Sequence, residues 1–178
     1  MNKNKSNFKY YLSFLPILLV FLDQITKYFA RRELGAKNRV ISIIPKVLSF
    51  HYLENRGAVW GIMQGRYGLL TIITFIILMA FIIFMIRIPH EKRYFPLYFV
   101  SVFIVSGAVG NLIDRIGFGF VTDFIYFEII DFPIFNVADI YVTCSVIALA
   151  FLILFYYKDE ELKFMTLFND KNITNDES

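Results

Sequence analysis

The stretch Phe135–Tyr157, FNVADIYVTCSVIALAFLILFYY, decides the fold. It is apolar for long enough to cross a bilayer as a helix, which takes about 20 residues. Yet Asp139 stands one turn inside its beginning. A carboxylate at that depth costs on the order of 2.5–3.5 kcal/mol on insertion scales, so an intramembrane acid is a functional hypothesis by default. It has company. Asp23 interrupts the first apolar run, Asp114 closes the third, and Asp123 lies just beyond it. A membrane protein whose few buried charges are mostly carboxylates handles protons or moves an ion.

Working outward, three more stretches approach spanning length, at about residues 10–30, 67–86 and 95–113, and join 135–157. The composition agrees: 57% of the 178 residues are hydrophobic and 19% aromatic, which excludes an ordinary soluble domain. No Gly/Ser- or Pro-rich linker divides the chain, so residues 1–157 read as one four-span domain, and 158–178 as a polar, frayed tail. The absence of an internal repeat argues against an inverted-repeat transporter. The net charge of +3 carries no nucleic-acid signal. The single cysteine, Cys144, excludes an internal disulfide and a cysteine metal site. His51 and His90 are far apart and no H-E-x-x-H string exists, so zinc proteolysis is disfavoured and no metal is expected.

Lys3, Lys5 and Lys9 precede the first run as they would in a secretory signal peptide. However, Asp23, Gln24 and Lys27 stand where a small-residue cleavage site belongs, so the run reads as a permanent helix. Lysine and arginine divide almost evenly between the two sides, and charge favours inside termini only slightly. The loop at about 38–66 contains KVLSFHYLEN, which alternates Leu48, Phe50 and Tyr52 against Ser49 and His51 and reads as a strand. NRGAVWG follows, with turn residues Asn55 and Gly57. A small sheet on the membrane surface is expected there. The loop at about 117–135 is rich in aromatics and has acids but no Lys or Arg, which suits the membrane interface.

Three constellations carry chemistry. Asp23 and Lys27 are four apart, hence on one helical face: either a self-neutralising pair that locks packing or a pair facing a polar cavity. In SGAVGNLIDR, Gly107, Asn111 and Arg115 share a stripe; the glycine admits a close neighbour, and the amide and guanidinium offer donors to one space. Asp114 reads as a structural partner for an arginine or a helix end. In FNVAD, Asn136 precedes Asp139 by three, and Asp123 returns to the same membrane surface sixteen positions earlier. Two carboxylates that meet cannot both ionise readily, a state suited to activating water and protonating a leaving amine. From spacing alone, a catalytic dyad, an ion-binding pair and separate structural acids all stay open.

Taken together, DQITK, NRGAVWG, GAVGNLIDR, VTDF and FNVAD, in this order along nearly the whole chain to Tyr157, resemble bacterial lipoprotein signal peptidase (signal peptidase II). The departures are small: Ser106 before Gly107, and Phe132 before Pro133. The resemblance implies an all-α membrane protein of four transmembrane helices, with a small extracytoplasmic β-sheet and an interfacial helix or loop. It implies an aspartic endopeptidase that cuts the signal peptide from lipid-modified prolipoproteins just before the diacylglyceryl-cysteine. It makes Asp123 and Asp139 the catalytic pair, with Asp23, Lys27, Asn55, Asn111, Arg115 and Asn136 around them. It also implies cytoplasmic termini in the bacterial inner membrane, an active site near the outer face, and no cofactor. The expected partners are diacylglyceryl-modified prolipoproteins and membrane lipid, with the enzyme as a monomer. The runner-up is a small proton- or cation-coupled transporter relaying through Asp23, Asp114 and Asp139, whose acids should line one path across the membrane. A non-catalytic scaffold would account for Asp23–Lys27 but not for Asp139.

Overall fold

The computed structural model describes residues 7–57 and 66–165. The first apolar run forms α1 (Phe8–Leu12) and α2 (Leu15–Phe29) and ends in a wide turn, Ala30–Gly35. Pro16 sits in the first turn of α2, where its missing N–H costs nothing; the same residue could not continue α1, so the helix breaks there. α3 (Tyr67–Arg87) is apolar on every side. α4 (Phe95–Phe118) again starts on a proline, Pro96, and ends at Gly119, whose φ of +76° is the left-handed conformation that glycine adopts without strain. α5 (Val137–Phe151) continues as a wider turn to Tyr156. Four helical stretches are long and apolar enough to cross a membrane: Phe8–Gly35, Gly68–Arg87, Lys92–Phe118 and Val137–Tyr156. The chain is a multi-pass membrane protein.

α4 is the central span, packed against α2, α3 and α5. Its small residues set the spacing. A Cβ on Gly107 would lie 2.5 Å from the Ala138 carbonyl oxygen, and one on Gly110 would strike the Asp23 carboxylate. Only glycine lets α2 and α5 approach α4 this closely. The outer faces carry exposed Phe14, Phe21, Ile72, Ile76, Ile147 and Phe151, the surface expected against lipid.

Outside the spans lies a three-stranded antiparallel sheet in the order β1 (Ile41–Ile44), β2 (Leu48–Asn55), β3 (Val121–Phe127). β2 is the strand expected from its alternation. Phe50 and Tyr52 pack with Ile41, Phe124 and Ile125 on Ala30 and Leu34. β3 falls in the segment 117–135, where aromatic composition points only to an interfacial loop. Its run of β-branched and aromatic residues, VTDFIYF, pairs with β2 from Leu48↔Phe127 to Asn55↔Val121. The remaining helix of that segment is a single short turn, Glu128–Ile130. The backbone at Phe135 then pairs back onto Ile125, which brings the start of α5 against β3.

The first part of the tail corrects an expectation. Its polarity reads as frayed, but Asp159–Met165 forms a tight helical segment held against the loop between α3 and α4. Arg93 Nε donates to Glu161 (2.8 Å), Arg93 Nη2 donates to the Tyr156 carbonyl (2.6 Å), and the Tyr94 and Tyr157 rings stack. Ala58–Gly61 of the NRGAVWG string, and the tail from Thr166, lie outside the described residues.

Candidate functional site

Asp139 is the third residue of α5, and local chemistry explains part of its position. Asn136 is the N-cap: its side-chain oxygen accepts from the Asp139 amide (3.0 Å), while Asp139 Oδ2 accepts from the Asn136 amide (3.1 Å). This reciprocal box satisfies two donors that a helix start leaves unpaired. It occupies only one carboxylate oxygen. The other, Oδ1, accepts from Asn111 Nδ2 of α4 at 2.8 Å.

Asp123 comes from β3 and is 2% exposed. Its Oδ1 accepts from Asn136 Nδ2 at 2.7 Å and its Oδ2 from Asn55 Nδ2, at the end of β2, at 2.9 Å. Asn136 therefore binds both acids, one through its backbone and one through its side chain. Burial, reinforced by the nearby charge of Asp139, pushes the Asp123 carboxyl up to about 7, against the two amide donors that pull it down. At neutral pH this carboxyl is poised between its two forms.

Behind the pair lies a polar network whose Asp23, Lys27 and Asp114 side chains are fully buried. Lys27 Nζ contacts Asp23 Oδ2 at 2.9 Å, donates to Asn111 Oδ1 at 2.9 Å and lies 3.7 Å from Asp114. Asp23 Oδ1 in turn accepts from the Ala138 amide (3.0 Å) in the first turn of α5. So the Asp23–Lys27 pair locks packing, as the plainer reading held, and Lys27 also stands two hydrogen bonds from Asp139 through Asn111. Asp114 accepts from the Thr122 amide (2.8 Å) and faces Arg31 as well as Lys27, the structural partnership its place in the sequence suggested. Arg115 lies within electrostatic reach of Asp139, Asp123 and Asp114, and its carbonyl accepts from the Gly119 amide (3.1 Å) at the end of α4. Gly107 contributes the close approach of α5 rather than a polar group. Among the described residues no three His, Cys, Asp or Glu side chains converge as metal ligands would.

Every site residue expected from the sequence falls in or beside this one cluster. Three that sequence reasoning passed over belong to it too. Gln24 donates to Asp23 (3.1 Å) and to the Gly110 carbonyl (3.0 Å). Arg31 donates to Thr122 Oγ1 at 2.8 Å. A signal existed for Arg31: Asp23, Lys27 and Arg31 recur every four residues along one helical face. Thr122 gave none.

A family profile described as Signal peptidase (SPase) II matches residues 15–155. The chain belongs to the signal peptidase II family. Among curated relatives, a lipoprotein signal peptidase of Clostridium novyi is 44% identical over 138 residues, 76% of this chain and 91% of the relative. One of Streptococcus agalactiae is 36% identical over 141 residues, 79% of this chain and 90% of the relative. A bacterial membrane enzyme solved by the in meso method superimposes with a TM-score of 0.71 at 30% identity, over 94% of this chain and 98% of the other. A second gives 0.69 at 32% identity, over 86% and 98%. The signal peptidase II match spans the whole polar cluster and stops before the docked segment Asp159–Met165.

Proposed function

We propose that Asp123 and Asp139 are the catalytic pair of a membrane-embedded aspartic endopeptidase that frees lipid-modified prolipoproteins of their signal peptides. Membership of the signal peptidase II family makes the chain a lipoprotein signal peptidase; the aspartate pair, and a cut just before the diacylglyceryl-cysteine, are the finer reading. The observation that carries it is the double attachment of Asn136 to both acids, with Asp123 nearly out of water and its carboxyl at about 7.

In the proposed reaction Asp123 holds the shared proton and Asp139 is ionised. Asp139 takes a proton from water as its oxygen attacks the scissile carbonyl carbon. Asp123 gives its proton to the carbonyl oxygen, and a tetrahedral diol forms. The diol then collapses: the C–N bond breaks, the departing amine takes the proton held by Asp139, and a diol hydroxyl returns one to Asp123. Asn55, Asn111 and Asn136 hold the carboxylates in place, and Asp23 and Lys27 brace Asn111 and α5. Arg115 offers its guanidinium donors to the substrate backbone. The chemistry needs no metal or cofactor, and a single protomer carries the complete set.

We place this site near the extracytoplasmic face of the bacterial inner membrane, with both termini in the cytoplasm. A signal helix emerges with its cleavage site at that surface, and substrate lipid can stay among the acyl chains beside the aromatic segment after β3. Transport is less well supported. Asp23, Asp114, Asp123 and Asp139 gather in one cluster, whereas a relay needs acids spread across the membrane. The test is turnover of a diacylglyceryl-cysteine peptide by purified protein. Asp123→Asn and Asp139→Asn should each abolish it while the protein stays folded. Near-parental turnover by either variant removes that residue from the pair.

A further inference from the structure

We infer that Arg31 is a positioning residue for Asp123, acting through Thr122 and Asp114; the inference rests on the aspartate-pair reading above. Arg31 lies one turn beyond Lys27, in the wide turn that ends the first span. One guanidinium nitrogen donates to Thr122 Oγ1 at 2.8 Å and lies 3.7 Å from Asp114 Oδ1, while the guanidinium carbon sits 4.4 Å from the centre of the Phe118 ring. Thr122 is fully buried, and its amide donates to the other oxygen of Asp114.

The residue just before Asp123 is thus held twice, at its amide by Asp114 and at its hydroxyl by Arg31, and the two holders attract each other. Successive side chains of a strand point to opposite faces, so clamping Thr122 from one side aims Asp123 from the other. Asn55 and Asn136 hold the Asp123 carboxylate at its tip; the Arg31 clamp ties its backbone to α2 and α4. Among the described residues Arg31 touches neither Asp123 nor Asp139, so its effect on the acids is indirect. A planar guanidinium can make the hydroxyl, carboxylate and ring contacts at once, and a lysine ammonium reaches fewer of them.

The experiment uses the full-length protein in nanodiscs with a diacylglyceryl-cysteine peptide, and compares Arg31→Met, Arg31→Lys, Thr122→Val, the Arg31→Met/Thr122→Val double variant and Asp123→Asn. Arg31→Met should lower kcat about 10- to 100-fold, the scale of a small misplacement of a reacting group, with KM within about twofold. Thr122→Val should lower kcat in the same sense by less, Arg31→Lys should recover part of the loss, and the double variant should be little worse than Arg31→Met, since both remove one contact. Parental kcat in Arg31→Met, a loss confined to KM, or losses that multiply in the double variant would overturn the inference. If Arg31→Met does not fold, Thr122→Val, which keeps the volume, decides: parental kcat refutes the clamp. Asp123→Asn separates the two failures. Turnover by that variant sinks the aspartate pair itself, whereas a dead Asp123→Asn beside parental Arg31→Met and Thr122→Val sinks only the positioning role.

Discussion

Asn55→Ala tests which group titrates in the site. The Asn55 amide donates to Asp123 Oδ2 at 2.9 Å and is the strongest influence holding the Asp123 carboxyl down, against burial and the charge of Asp139. A hydrogen bond to a charged group is worth about 1.5–3 kcal/mol, and one pKa unit corresponds to about 1.4 kcal/mol. Its loss should therefore raise the Asp123 carboxyl by about one to two units from its value of about 7. The sign on activity follows. Asp123 must be protonated to polarise the carbonyl, so the alkaline limb of kcat/KM against pH, which reports the free enzyme, falls as that proton leaves, near pH 7 in the parent. In Asn55→Ala this limb should move to higher pH, even though kcat/KM at its optimum falls because the carboxyl is less well aimed. The assay is steady-state cleavage of a lipopeptide in nanodiscs across pH 5–9. The macroscopic values belong to the pair, so the comparison is between variants rather than with either residue alone. An alkaline limb that stays put or moves to lower pH would refute the assignment of the shared proton to Asp123.

Other outcomes follow from the same contacts. Asp114→Asn can still accept from the Thr122 amide but leaves Lys27 and Arg31 without one buried counter-charge. It should lose about 2 kcal/mol of stability in thermal unfolding, less than the 3–5 of a wholly unpaired charge because Lys27 keeps Asp23, and should retain more activity per folded molecule than Asp123→Asn. An Asp114→Asn protein as stable as the parent and as inactive as Asp123→Asn would refute this division of roles. Gly107→Val would drive methyl groups into Ala138 and Val142 and push α5 from α4; it should cost about 1–3 kcal/mol or more and lower activity, read by unfolding and turnover together. For topology, single cysteines at Lys37 and His90 in a Cys144→Ser background should divide under a membrane-impermeant thiol reagent on intact cells. Lys37 should label and His90 should not, and the reverse would invert the protein and undo the peptidase reading.

Hydropathy is a local property, and the backbone of a span must satisfy its own hydrogen bonds, so the four crossings were legible in the chain alone. So was β2, from its alternation; of the candidate site residues, Asp23, Asp114 and Asp139 stood out as charges in or at the ends of apolar runs, while Asp123, Asn55 and the other amides took their candidate roles from the resemblance to signal peptidase II. Tertiary structure decided the rest. Aromatic and β-branched residues suit both a membrane interface and a strand, and only the unpaired edge of β2 turned VTDFIYF into β3. The tail looked frayed because its acids are polar; Arg93, far back in the chain, gave one of them a partner. The shared role of Asn136, the attachment of Asp23 to Ala138, and the clamp of Arg31 on Thr122 join residues 13, 115 and 91 positions apart. No spacing rule reaches that far: helical and strand periodicities report the face a residue occupies, whereas its partner is chosen by which faces the packed spans bring together.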